Sequence, residues 1–368
     1  MRPPDKERRG DLEGQEARRD TRILFHGVLS SPFDLQGVKP VVDVFERALE
    51  QSTGRNILYM ESPSATHEDV ERSKMVVENH GLVDPIVGNI FRAHGADART
   101  QDDLDKLRQT IDRVGTGAIT IGLVPPTMAR EYFFHRELQR VREDHPFDVE
   151  YESHQPEIVS EVSELEGEII HLTAVSVGLW LKGEVEQLIE NQKRMHQAGH
   201  QIGTLRAPDV ISDLTSLAED LLQTEEKGAL FIPFSLANTP MVYAVRRNFW
   251  ENAAIELEVT SAGFEKSPET RIREGLQNGI PIADEVYAQH FLEIAMSAAV
   301  KSHVMNRRRL TAYMENYETL EQAISATAST FSLAEIEELS KTQRHLLDVL
   351  RVHPLSAPLL PYISTLLI

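Results

Sequence analysis

A lone carboxylate at the end of an apolar run is the first place in this chain where chemistry could sit. Asn56-Ile57-Leu58-Tyr59-Met60 stops at Glu61, and Ser62-Pro63 then turns the chain toward a helix. A near-continuous apolar run is the mark of a strand buried on both faces. In open α/β sheets the ligand crevice lies beyond the carboxyl ends of such strands. Three more apolar runs end in small or polar residues: Arg22 to Phe25 before His26-Gly27, Ala229 to Phe234 before Ser235 to Asn238, and Ile255 to Thr260 before Ser261. If these strands are parallel and adjacent, His26, Glu61, Ser235 and Asn238 converge. A His and a carboxylate within hydrogen-bond reach form a general acid–base pair. Asn238, just ahead of a helix opened by Thr239-Pro240, would donate to a developing oxyanion. The expected catalytic set is therefore Glu61, His26 and Asn238. Ser235, Arg72 and His67 stand as substrate contacts: Arg72 lies one helix beyond Glu61, and His67 sits in that helix's first turn, where the dipole disfavours an imidazolium. Each residue also has a plainer reading: a helix cap for Glu61, a loop hydrogen bond for His26, a turn for Asn238 and a surface ion pair for Arg72.

The elements that must position these groups follow from periodicity. The strand Arg22–Phe25, a helix after Gly37 and Pro40 with Val41, Val42, Phe45 and Leu49 on one face, and the strand ending at Glu61 have the size of one parallel crossover unit. Thr66 with Asp69 opens a helix to about Asn79, and Thr100 opens a polar helix to Val114. Ala118 to Val124 alternates with β-branched residues and reads as a strand. Pro125-Pro126-Thr127 starts a helix to about Glu143, and Phe147 to Tyr151 is a short edge strand. Residues 157–226 read as a helical insertion, with Val185, Leu188, Ile189 and Met195 on one face and an end signalled near Gly199. Ser267-Pro268 starts another helix, and Ile282 to Arg309 and Ser332 to Leu350 make a helical C-terminal third. The expected fold class is α/β: a small, largely parallel mixed sheet flanked by helices. Its divisions are a charged, aperiodic arm over 1–21, an α/β core over 22–310 that contains the insertion, and a helical segment over 311–368 ending in an apolar, proline-containing tail.

Composition bounds the function. The 368 residues carry a formal charge of −20 and no cysteine. Such acidity disfavours phosphate-backbone and anionic-membrane binding, which rest on clustered Lys and Arg. The lack of thiols excludes disulfides, thiolate metal sites and Cys nucleophiles. With no signal-like start and no run of eighteen apolar residues, a cytoplasmic protein is expected. The tail after Val352 is expected to dock on the body or on a second copy, making a homo-oligomer conceivable. No HExxH or GxSxG occurs, and Gly115-Thr116-Gly117 precedes a strand rather than following one, so neither metal nor nucleotide cofactor is expected. His26, Glu61, His67 and His94 are the side chains a metal would otherwise use. Glu152-Ser153-His154 offers isolated ligands, and Arg307-Arg308-Arg309 reads as a helix C-terminal charge cluster.

The strand exits are similar to those of the TraB/TIKI/erythromycin-esterase-like superfamily, a mixed α/β core with large helical insertions. Ile57 to Glu61 resembles its second motif, a strand ending in Glu; Leu230 to Pro240 resembles its third, a strand running into a small-residue loop; Arg22 to Ser30 occupies the place of the first. Two departures stand out. Asn238 is found where the family has His, and His26 is displaced and has no accompanying Glu. The resemblance implies a hydrolase acting on an ester or peptide-like bond, or a catalytically silent relative binding a small ligand or protein partner in the same crevice.

Overall fold

The computed structural model describes residues 23–30, 38–61, 65–80, 82, 126–223, 227–235, 239–249, 255–261, 267–306, 317–342 and 346–363. Five strands, β1 (Ile23–Ser30), β2 (Asn56–Met60), β3 (Asp148–Tyr151), β4 (Gly228–Ser235) and β5 (Ile255–Ser261), form one sheet in the order β3-β2-β4-β1-β5. Every pairing is parallel. The strand expected to stop at His26-Gly27 instead continues to Ser30. It lies between β4 and β5, and paired partners run from Gly27 through Leu29 on both sides, so the sheet outweighs the local break that Gly27 suggests. The expected edge strand at Phe147–Tyr151 is β3. The charged arm, the helix from Thr100 and the strand Ala118–Val124 lie outside the described residues.

The two faces of the sheet are covered by different parts of the chain, as parallel crossovers require. Helices α1 (Val38–Gln51), α2 (His67–His80) and α3 (Pro126–Asp144) follow β1 and β2. They pack Val41, Phe45, Val77, Leu138 and Val141 against Leu58, Met60 and Phe231. Helices α4 (Pro156–Lys182) and α5 (Val185–Leu222) follow β3, and α6 (Thr239–Phe249) follows β4. From α5 and α6, Val210, Leu214, Leu221, Met241 and Val245 bury the opposite row, Ile57, Tyr59, Leu230 and Ile232. Adjacent β2 and β4 thus exit to opposite faces, which opens a crevice at their carboxyl ends. At the other end Gly228 lets the backbones close up: a Cβ there would lie 2.7 Å from the Arg55 carbonyl.

The helical insertion is the hairpin α4–α5. Gly183, at φ 75°, turns the chain, its N–H and that of Glu184 donating to the Trp180 and Leu179 carbonyls. The end expected near Gly199 is absent: α5 runs 38 residues to Leu222. His196, Ala198, Ile202 and Gly203 are buried around that glycine, and such packing outweighs the ~1 kcal/mol that Gly costs in a helix. The N-terminal end of α5 joins α7 (Pro268–Asn278), α8 (Asp284–Asn306), α9 (Tyr317–Ala328), α10 (Leu333–Thr342) and α11 (Leu346–Val352) around a second core. Ser332 and Glu335 form the expected capping box. The tail docks on this core through Leu359 and Ile363, while Val352 and Leu355 stay exposed. Arg307-Arg308-Arg309 lies outside the described residues. No described helix is long and apolar enough to cross a membrane.

Candidate functional site

At the carboxyl ends of β2 and β3 the strand pairing continues past the sheet. Glu152 N–H donates to the Met60 carbonyl, and His154 N–H donates to the Ala65 carbonyl beside a single Thr66–His154 bridge. This extension carries two polar side chains, Glu152 and His154, into full burial. Helix α5 meets them with Arg206 and Asp209, three residues apart on one face. The Arg206 guanidinium grips both Glu152 oxygens, Nε at 2.8 Å from Oε1 and a terminal nitrogen on Oε2. The His154 ring donates Nε2–H to Glu152 Oε1 at 2.7 Å and Nδ1–H to Asp209 Oδ2 at 2.9 Å. Burial alone would raise the Glu152 carboxyl, but the Arg206 charge and the His154 hydrogen bond override it and hold it down at about 2. Burial would likewise depress His154; its bonds to Glu152 and Asp209 win and raise it. An imidazole facing carboxylates on both nitrogens is held protonated, which makes it a tie between β3 and α5 rather than a general base.

Glu61 closes this network from β2. Its carboxylate lies 3.9 Å from Arg206 and is largely buried. On the same row of β2, the Tyr59 hydroxyl donates to Asp213 Oδ2 at 2.9 Å. Burial, with the nearby charges of Glu152 and Asp213, pushes the phenol pKa up, so it stays a donor. Asp213 is itself raised by burial, partly offset by the Tyr59 hydrogen bond. Beyond Asp213 a cleft of about 540 Å³, including its open mouth, runs between α2 and α5 along the β3 edge. Tyr59, Tyr151, Val70 and Leu217 give it apolar walls, and Ser153, Ser216, His67, Glu71, Lys74, Glu150 and Asp213 give it polar groups. Lys74 is already committed, with Nζ 2.7 Å from Glu150 and 3.5 Å from Glu71.

Of the residues expected from sequence, Glu61 stands at its strand exit, and exposed His67, the first residue of α2, lines the cleft. His26 is in mid-strand: it pairs with Phe231, which pairs with Leu58, so its backbone is three residues, about 10 Å, below Glu61. Ser235 ends β4, one residue beyond Glu61's level when that register is continued. The side chains of His26, Arg72 and Ser235, and all of Asn238, lie outside the described residues. Glu152, His154, Arg206, Asp209, Asp213 and Tyr59 were not expected as a group. The signals were present: Glu152 and His154 follow an edge strand as Glu61 follows a central one, and Arg206, Asp209 and Asp213 recur at i, i+3 and i+7. Among the described residues, no group of three or more His, Asp or Glu side chains is arranged to hold a metal ion. No family model, no curated protein and no solved structure matches this chain.

Proposed function

We propose that the chain binds a small molecule bearing a cationic group in the cleft between α2 and α5. The observation that carries this reading is Asp213, a half-buried carboxylate that accepts from the neutral Tyr59 hydroxyl at the rim of the cleft. Burial raises this carboxyl despite the Tyr59 hydrogen bond and the charge of nearby His154, so a ligand that supplies a further cation would stabilise its ionised form. The tyrosine walls suit a cation, since ring faces attract positive charge. Lys74, which lines the cleft, is neutralised by Glu150 and Glu71, so it adds little repulsion. The net charge of −20 raises the local concentration of cations around the molecule. The Glu152–His154–Arg206–Asp209 network holds the strand extension against α5 and so fixes the cleft's floor. Thermal-shift assays with primary amines, guanidines and quaternary ammonium compounds, with neutral alcohols as controls, test the reading. A saturable stabilisation by cations alone, lost in Asp213→Asn, is expected. Equal shifts in wild type and variant would discard it.

A second reading, hydrolysis of an ester or peptide-like bond, is favoured by Glu61, a largely buried carboxylate at the exit of a central strand and beside Arg206. It also fits the superfamily resemblance at Ile57–Glu61. Turnover of ester and peptide panels by wild type and Glu61→Gln decides it: loss of activity in the variant supports hydrolysis, and equal background rates exclude it.

A further inference from the structure

His196 is a buried imidazole on α5 that the network at the sheet does not use. It is 5% exposed, and its Nε2 meets no hydrogen-bond partner among the described residues. Its ring lies 4.9 Å from that of His290 and 6.0 Å from that of Tyr287, both on α8. From α7, the charge of Arg273 reaches His196 and also His200, one turn further along α5. Glu269, which lies near His290, is committed to Arg273 at 2.6 Å within α7 itself. His290 turns Nδ1 to Glu293 at 3.5 Å, and Tyr287 faces Lys193, Glu190 and Asp284. On the side of α4, Glu168 accepts from Arg194, and Gln192 directs its amide N–H to Ser176 Oγ. A neutral ring packs in this place. A protonated one would stand beside His290 and Arg273, whose charges both oppose it.

We propose that the junction of α5 with α7 and α8 is an acid-triggered latch, in which a proton on His196 frees α7 and α8 from α5 while the strand extension stays fixed to the other end of that helix. Arg271 donates to Gln289 at 3.4 Å, so α7 and α8 are tied to each other and part from α5 together. The ion pair from α5 to α8, Lys193 Nζ to Asp284 at 2.9 Å, lies toward the surface, where it adds little. His196 is neutral in the closed junction and takes up a proton once exposed. Closure is therefore fully favoured above 6.5, and opening grows by up to about tenfold per pH unit below it. At the sheet end the sign is reversed. The contribution of His154 is full below 6.5, and Glu152 holds until pH falls below 4.5. Between those values acid loosens one end of α5 and leaves it anchored at the cleft.

Amide hydrogen exchange on the full chain at pH 7.5 and 5.0, with labelling times scaled for the intrinsic exchange rate, tests this. In wild type, α7 and the first half of α8 should lose about thirtyfold in protection at the lower pH, with β2 and β3 unchanged or better protected. His196→Leu, neutral at both values, should show equal protection in α7 and α8. Wild-type protection that does not change there, a loss shared equally by the sheet, or a thirtyfold loss that persists in His196→Leu overturns the proposal. Should that variant not fold, imidazole nitrogen titration of wild type decides by magnetic resonance. A His196 ring that stays neutral until α7 opens supports the latch, and one that gains its proton near pH 6.5 with α7 still protected contradicts it.

Discussion

Arg206 and Glu152 form a buried ion pair with two hydrogen bonds, and the rest of the network closes on it. Removing one partner strands the other charge away from water, which costs about 3–5 kcal/mol. Arg206→Met should lower unfolding free energy by that amount in urea titrations, and adding Glu152→Gln to it should recover a large part. A double variant no more stable than the single one would show that the pair is not what holds this end of the sheet. The pH dependence follows from the same groups. Glu152 has a depressed folded pKa, so its contribution is full above about 4.5 and is lost as pH falls toward 2. His154 is raised from 6.5, so its contribution is full below 6.5 and is lost as pH rises through the higher folded value. His196, on α5, is lowered by burial, then by the charges of His290 and Arg273, and must take up a proton to unfold in acid. Stability should therefore peak near pH 6.5, falling below it as His196 protonates on unfolding and more steeply below about 4.5 through Glu152, and falling above it through His154. His154→Gln should abolish the alkaline limb in melts taken from pH 5 to 9; persistence of that limb would assign it elsewhere.

Among the elements, the hairpin α4–α5 sets the site, because its second helix brings Arg206, Asp209 and Asp213 to the sheet. Two glycines in it make opposite predictions for one substitution. Gly183 occupies the left-handed region, where a side chain costs about 1–2 kcal/mol, and Lys341 already packs against it. Gly183→Ala should destabilise by that amount. Gly167 lies mid-helix with open space above it, so Gly167→Ala should stabilise by about 0.5–1 kcal/mol. Calorimetric melts of the two variants check both signs. Much at this scale is legible in the sequence. The apolar runs at Ile57–Met60 and Leu230–Phe234 announce central strands, and Ser332 with Glu335 announces a helix start. The continuation of β1 past Gly27 and of α5 past Gly199 is not legible, because pairing and packing with distant segments outweigh those local signals. At the site, Glu61 could be read from its position after an apolar run. Arg206 could not, since an arginine in a polar helix gives no sign that a carboxylate 54 residues earlier will bury it.

Over the whole molecule, α5 belongs to two cores. Val185 and Ile189 sit in the helical body, and Val210 and Leu214 sit on the sheet. The cleft lies at the sheet end of this helix, so its walls depend on how α5 is seated in both. The strongly acidic surface completes the account by favouring cations at that cleft. Calorimetric titration of the most stabilising amine into wild type and Asp213→Asn at low salt tests it most directly. The account predicts saturable one-site binding in wild type and at least a tenfold weaker affinity in the variant. Equal affinities, or no heat of binding from any cation in wild type, would contradict it.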